Sequence, residues 1–216
     1  MKIEYTEIFT SFQGEGETSG MPAVFLRLYG CNLNCIFCDE VQPIKDKKED
    51  TTLNIYNKLL TEFDKLPPKN KLLIITCGEP YLQSNALQQL IIKLQSNKQL
   101  NQLQIHIETN GTIHTILPVN KVVISPKRLN KKSLDNCINY FTTNYPDKNI
   151  FKFVITLQNM EYIINYINNN NKLNYVLLQP ETSNAEQITT NLIKKYPQIQ
   201  KTFKISTQTH KFLNQK

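Results

Sequence analysis

The segment Ala23-Val24-Phe25-Leu26-Arg27-Leu28-Tyr29 runs through Gly30 straight into Cys31-Asn32-Leu33-Asn34-Cys35-Ile36-Phe37-Cys38. An apolar run of this length bounded by glycine reads as a buried strand. It delivers three of the chain's five cysteines into one loop. Thiols at C-x3-C-x2-C spacing point to a metal site at the C-terminal end of that strand. Three readings stand side by side: an iron–sulfur cluster, structural zinc, or ordinary free thiols. Zinc usually takes four ligands, and the nearest histidines, His106 and His114, lie far along the chain. A cluster held by three cysteines instead leaves one iron open to an external ligand, whereas four cysteines are usual.

Outward from this loop, short apolar runs alternate with helical patterns. Strands are expected at Ile3 to Phe9, Ala23 to Tyr29, Leu72 to Thr76, Leu103 to Glu108, Lys121 to Ile124, Phe151 to Ile155 and Tyr175 to Leu178. Helical spacing covers Leu53 to Phe63, Asn85 to Leu94, Ser133 to Tyr140, Met160 to Ile167 and Ala185 to Tyr196. Lys45 to Asp50 reads as a charged stretch, and Phe203 to Lys216 as a tail with one extended piece. Such alternation implies βαβ units and a parallel sheet. The fold class is therefore α/β, either an open sheet or an incomplete barrel. In both, ligands sit at the C-terminal ends of the strands. The polar motifs fall there in turn: the cysteines, Gly78-Glu79-Pro80, Glu108-Thr109-Asn110-Gly111, Ser125-Pro126-Lys127 and Gln179-Pro180.

The 216 residues suit one domain, 1–216, with a full core. The net charge of +7 comes from scattered lysines, without the arginine-rich arm of a nucleic-acid binder. No apolar run is long enough for a transmembrane helix, and Met1 to Tyr5 lacks the apolar core of a signal peptide. An odd cysteine count at close spacing suits a reducing cytoplasm. Glycine is scarce, six residues against about fifteen at average usage, and all six lie beside the motifs. Cys77 and Cys137 read as packing residues, although Cys77 next to Gly78 leaves a fourth-ligand role open.

The cysteine spacing, with an aromatic residue before Cys38, resembles the radical S-adenosylmethionine enzymes. The flanks resemble one family more closely, 7-carboxy-7-deazaguanine synthase. They are Glu7 to Gly16, Pro22 to Leu28, Thr76 to Pro80, Glu108 to Gly111, Ser125 to Lys127, Phe151 to Val154 and Ser206 to Lys211. The resemblance implies an incomplete TIM-like barrel of about six parallel strands with flanking helices. It implies a 4Fe-4S cluster on Cys31, Cys35 and Cys38, with S-adenosylmethionine on the open iron as the source of a 5′-deoxyadenosyl radical. The implied reaction turns 6-carboxy-5,6,7,8-tetrahydropterin into 7-carboxy-7-deazaguanine with loss of ammonia, in queuosine and 7-deazapurine biosynthesis. Magnesium assists, members are usually homodimers, and a flavodoxin is one type of electron donor the basic surface would suit.

Residue by residue, the resemblance implies cofactor contacts at Gly78, Glu79, Glu108, Ser125, Pro126, Lys127, Gln179, Pro180, Glu181 and Thr182. It implies substrate contacts at Phe12, Gln13, Gly14, Glu15, Arg27, Thr76, His210 and the terminal Lys216. Arg27 within a core strand needs an anion. That anion is either a local acid or the substrate carboxylate, which a guanidinium grips with two bonds. Glu108 is either a ribose contact or a structural partner. Two positions depart from the family pattern. Glu40 stands where a hydroxyl residue binds magnesium, and a carboxylate is also a good ligand for a hard cation. Cys77 stands where the family has glycine, and would be strained if that position needs a positive φ. A glycyl-radical-enzyme activase shares the cysteine loop and the Gly-Glu-Pro turn, but not the Phe12 to Gly16 loop or the His210-Lys211 tail. A non-catalytic zinc- or cluster-binding module would need a fourth protein ligand that the sequence does not offer.

Overall fold

The computed structural model describes residues 1–35, 38, 46–69, 71–195, 199 and 201–213. Glu40 and Lys216, expected at the magnesium and substrate sites, lie outside the described residues, as do Ile36 and Phe37 of the cysteine loop.

Among the described residues, nine strands form one sheet. They are β1 (Lys2–Phe12), β2 (Pro22–Leu28), β3 (Lys48–Thr51), β4 (Leu72–Thr76), β5 (Gln104–Thr109), β6 (Lys121–Ile124), β7 (Asn149–Ile155), β8 (Tyr175–Pro180) and β9 (Thr202–Ile205). From β2 onward the order across the sheet is β2-β4-β5-β6-β7-β8-β9, and every neighbouring pair is parallel. The strand order never reverses, so this is the winding of a barrel rather than of a doubly wound sheet. It does not close. The order ends at β9 on one side, and on the other β1 and β3 pair antiparallel. The parallel part has seven strands, one more than expected, because the extended piece of the tail, β9, joins it.

Strand β3 is the other departure. Lys48-Glu49-Asp50-Thr51 has no apolar alternation and reads as a charged stretch. It is a strand because it lies at the edge, where only β1 needs satisfying and charges discourage further pairing. Lys2 meets Glu49 across the pair at 2.5 Å.

The helices α1 (Thr52–Phe63), α2 (Ser84–Gln95), α3 (Lys131–Asn144), α4 (Met160–Asn168) and α5 (Ala185–Lys194) follow β3, β4, β6, β7 and β8. A one-turn helix, α6 (Thr209–Phe212), lies in the tail. Side-chain caps set two of the starts. Thr51 Oγ1 accepts from the Asn54 amide at 3.1 Å, and Asn130 Oδ1 accepts from that of Ser133 at 2.9 Å. The second cap begins α3 two residues before the expected Ser133.

Alternate residues of each strand meet these helices in one core: Leu26, Leu73, Ile75, Ile107, Val122, Phe153 and Leu178 pack with Ile55, Leu59, Leu90 and Phe141. The opposite face has a smaller apolar floor of Ala23, Phe25, Leu72 and Ile74, with Phe9 against it. Towards the strands' C-terminal ends that face turns polar, and the site lies there.

Candidate active site

By alternation, the face opposite the helices carries Arg27 on β2, Thr76 on β4, Glu108 on β5, Lys152 on β7 and Gln179 on β8. Ser125 and Ser206 extend this row just past β6 and β9. The loop after β1 runs back over the same face. It is pinned at its neck by Gln13 N–H to Met21 C=O at 2.8 Å and Gly20 N–H to Gln13 C=O at 2.7 Å. Its middle reaches down the sheet, where Glu17 lies 3.9 Å from Lys121 and Gly16 packs against Leu177. A small cavity of about 20 Å³ remains between loop and sheet, lined by His106, Glu108, Val123, Ile150 and Lys152. It has room for about one water.

The centre of this layer is ionic. Lys152 is 5% exposed and pairs with Glu15 from the loop, with Glu108 3.7 Å away. Burial alone would lower the lysine's pKa, but the charges of Glu108 and Glu15 outweigh it and raise the pKa. Burial would likewise raise the Glu15 pKa, but Lys152 outweighs it and holds the carboxyl at about 2. Glu108 accepts from Gln13 Nε2 and from Thr76 Oγ1, both at 3.3 Å. Glu108 therefore stands among the expected substrate contacts Gln13 and Thr76.

The tail closes over the loop. Thr209 N–H donates to Gly14 C=O at 2.9 Å, and Gly16 N–H donates to Ser206 Oγ at 3.0 Å. Gln208 Nε2 donates to Glu15 at 2.9 Å, and Gln208 Oε1 accepts from Thr182 at 2.6 Å and from Lys211 at 2.8 Å. His210 lies so close to Gly14 that a Cβ there would be 2.1 Å from its Nδ1. The structure therefore brings Gln13, Gly14, Glu15 and His210 together, and joins Thr182 to them through Gln208. Glu181 is held by its amide to Ile155 C=O at 2.8 Å, beside Pro180. Gln179 is buried, and its Oε1 has no hydrogen-bond partner among the described residues. Phe12 ends β1 opposite Pro22 and is 53% exposed.

Arg27 meets the local acid that was its alternative partner. Its Nη1 lies 3.4 Å from Glu7 Oε2 on the antiparallel neighbour, with the guanidinium 4.9 Å from the centre of the Phe9 ring.

On the cysteine side, two turns touch through backbone. Glu79 N–H donates to Gly30 C=O at 2.8 Å, and a Cβ on Gly78 would be 2.1 Å from the same oxygen. Cys77 and Gly78 both have positive φ, 63° and 54°. The Glu79 side chain braces the turn expected to meet the cofactor. Its carboxylate turns inward, 1% exposed, and accepts from the amides of Tyr81 (3.1 Å) and Asn110 (2.8 Å) and from Thr109 Oγ1 (2.8 Å). It ties the Gly-Glu-Pro turn to the Thr-Asn-Gly turn, and its burial raises its pKa. Asn110 Nδ2 in turn reaches Cys31 Sγ at 3.8 Å and Asn32 Oδ1 at 3.0 Å.

Cys31 and Cys38 are exposed, and Cys35 is half-buried. Burial raises the Cys35 thiol pKa while the charge of Lys127 opposes that, and Cys38 and Cys31 are close enough to raise it further. Lys127 donates to Ser125 Oγ at 2.9 Å, and Pro126 between them is buried. Among the described residues no three metal-ligating side chains converge on one point. The donor set nevertheless fits a cluster: three thiols on one loop, a neighbouring ammonium that favours thiolate, and an amide donor at sulfur. Cys137 is packing, its thiol buried under Gly111 and its pKa raised to about 12 by desolvation. His114 stacks on Tyr140 at 4.4 Å.

Lys152, Gln208, Ser206 and Asn110 were given no role from sequence. Lys152 carried a usable signal. A charge inside Ile150-Phe151-Lys152-Phe153-Val154 is the same anomaly that singled out Arg27.

A family model described as "4Fe-4S single cluster domain" matches residues 12–124, a span that includes all three loop cysteines. The 7-carboxy-7-deazaguanine synthase of Rickettsia prowazekii is 31% identical over 217 residues, covering 98% of this chain and 88% of that protein. That of Prochlorococcus marinus is 31% identical over 225 residues, covering 98% and 97%. The crystal structure of QueE from Escherichia coli superposes with a TM-score of 0.66 at 21% identity, covering 97% of this chain and 95% of that one, and so shares the fold. With relatives at this identity aligned over nearly its whole length, the chain belongs to the 7-carboxy-7-deazaguanine synthase family of radical S-adenosylmethionine enzymes.

Proposed function

We propose that the chain converts 6-carboxy-5,6,7,8-tetrahydropterin to 7-carboxy-7-deazaguanine with loss of ammonia. The observation that carries this reading is the polar layer under the tail. Gln13, Thr76, Glu108 and Lys152 form one bonded set on the strand-end face that also leads to the cysteines. A flat heterocycle edged with N–H donors and a carbonyl needs such a mixture. Cys31, Cys35 and Cys38 hold the cluster, and Gly78, Ser125, Lys127 and the segment from Gln179 to Thr182 hold S-adenosylmethionine. Bound there, the pair supplies hydrogen-atom abstraction by a carbon radical.

The chain's own residues do the rest. Arg27 grips the substrate carboxylate, Gln13 and Glu108 meet the pterin edge, and the tail with His210 excludes water above it. Exclusion matters because a radical in contact with solvent is open to side reactions. Glu40 contributes a carboxylate to magnesium. The chain works as a homodimer in the cytoplasm and draws electrons from an acidic donor of flavodoxin type, attracted by its net charge of +7. Among the described residues no helix is long and apolar enough to cross a membrane.

Anaerobic reconstitution with iron and sulfide, followed by reduction and addition of S-adenosylmethionine, magnesium and the carboxytetrahydropterin, should yield the deazaguanine. An intact cluster that gives no such product overturns the assignment. In the same assay Glu40→Thr should shift the magnesium titration, and an unchanged curve removes Glu40 from the metal.

A further inference from the structure

We infer that Lys152 is a positioning residue: its buried ammonium fixes Glu15 and, through the Glu15–Gln208 bond, fastens the tail over the substrate face. The inference rests on the proposed function only for what lies beneath the tail.

The argument starts from burial. An ammonium this far from water is unfavourable unless anions surround it. Two carboxylates reach Lys152, but not equally. Glu15 is in close contact, its side chain 14% exposed, and its other oxygen accepts from Gln208. Glu108 stands off at 3.7 Å, its side chain 22% exposed, and its bonds to Gln13 and Thr76 are both long, at 3.3 Å. Charge-assisted bonds in good geometry are shorter than this. Glu15 is thus the committed partner. Glu108 keeps accepting capacity for a ligand.

The committed side continues outward. Glu15 holds Gln208, and Gln208 holds Thr182 and Lys211. One chain of polar contacts therefore runs from the middle of β7, through the loop after β1, to the tail and the segment after β8. Beside this chain, the tail meets the loop through Thr209 N–H to Gly14 C=O, through Ser206 Oγ, and where Thr209 Oγ1 comes within 3.5 Å of Ser19 Oγ. Removing the ammonium leaves Glu15 buried without its cation, and the carboxylate then turns to water or takes up a proton. A carboxylate that turns away releases the Gln208 amide, and a protonated one offers it only a weaker, neutral acceptor.

The test separates a latch from a merely structural lysine by tryptic cleavage after Lys211 in the full-length protein, scored by mass, beside the KM and kcat for the carboxytetrahydropterin. Lys152→Met, Glu15→Gln and Gln208→Ala should each speed tail cleavage and raise KM by about tenfold, the loss of one charged-group hydrogen bond, with a smaller change in kcat. The double variant Lys152→Met/Glu15→Met removes both buried charges and should recover wild-type thermal stability while its tail stays open to trypsin. Wild-type cleavage in a folded double variant overturns the inference. If Lys152→Met does not fold, wild-type cleavage in both Glu15→Gln and Gln208→Ala overturns it. A wild-type protein that leaves the pterin unchanged would defeat the proposed function alone, because the cleavage rates still decide the latch.

Discussion

Cys77 sits in the left-handed region at φ 63°, where only a few per cent of non-glycine residues are found. The family resemblance puts glycine here, and the sequence could state only a condition: cysteine is strained if the position needs a positive φ. The structure meets that condition, because the turn from β4 must bring Gly78 onto the carbonyl of Gly30 and hand the Glu79 amide to it. Two successive left-handed residues achieve the reversal. Replacing Cys77 with glycine should therefore stabilise the protein, by about 1 kcal/mol, even after the greater freedom of the unfolded glycine is counted. Urea unfolding of Cys77→Gly against wild type, in the same state of cluster loading, measures it. A drop in stability would mean that the thiol makes contacts worth more than the backbone strain.

The tail and the loop after β1 form one element in practice, although 193 residues separate Glu15 from Gln208. Two glycines distinguish this flexible contact from the rigid one beside the cysteines. A Cβ on Gly14 meets the ring of His210, a side chain that can swing away with its tail. A Cβ on Gly78 meets the backbone oxygen of Gly30, which cannot move without Cys31. Gly14→Ala should leave global stability within about 0.5 kcal/mol while raising the substrate KM. Gly78→Ala should lose on the order of 3 kcal/mol and impair cluster loading. Equal thermal midpoints for the two variants would contradict the distinction. The cysteine loop, the strand-end motifs and most helix cores were legible in the sequence because each is local. The latch was not, because it joins residues from opposite ends of the chain. Nor was β3, because an edge strand of charged residues has no apolar period to read. Lys152 falls between these cases. Its anomaly was visible, but its partners belong to other elements.

At the scale of the whole molecule, the alternation of strands and helices foretold the parallel winding. The resemblance supplied the open barrel, and the count fell one strand short because nothing local in the tail shows that its extended piece, β9, pairs with β8. What alternation also hides is which polar side chains face the helices and which face the loop. His106 is the sharpest case. It lies on the loop-facing side of β5, 9% exposed, beside Lys121 of β6, with Glu108 two residues on and Glu17 reaching Lys121 from the loop. Burial first, then the charge of Lys121, pulls its pKa down to about 4. Below pH 6.5 the unfolded chain binds a proton there that the folded chain refuses. The neutral imidazole's contribution is thus complete above pH 6.5 and fades as pH falls toward 4. The loss amounts to about 2 kcal/mol between pH 7 and pH 5. Glu15 retains its contribution throughout that window, since its carboxyl is held at about 2. Glu79 acts in the opposite sense, its raised pKa favouring the fold as pH drops. The contribution of His106 is therefore read as a difference. Urea unfolding at pH 7 and pH 5 should show His106→Gln losing about 2 kcal/mol less than wild type on acidification. Parallel losses in the two proteins would mean that His106 takes up its proton in the folded state, with a water in the adjoining cavity to receive it.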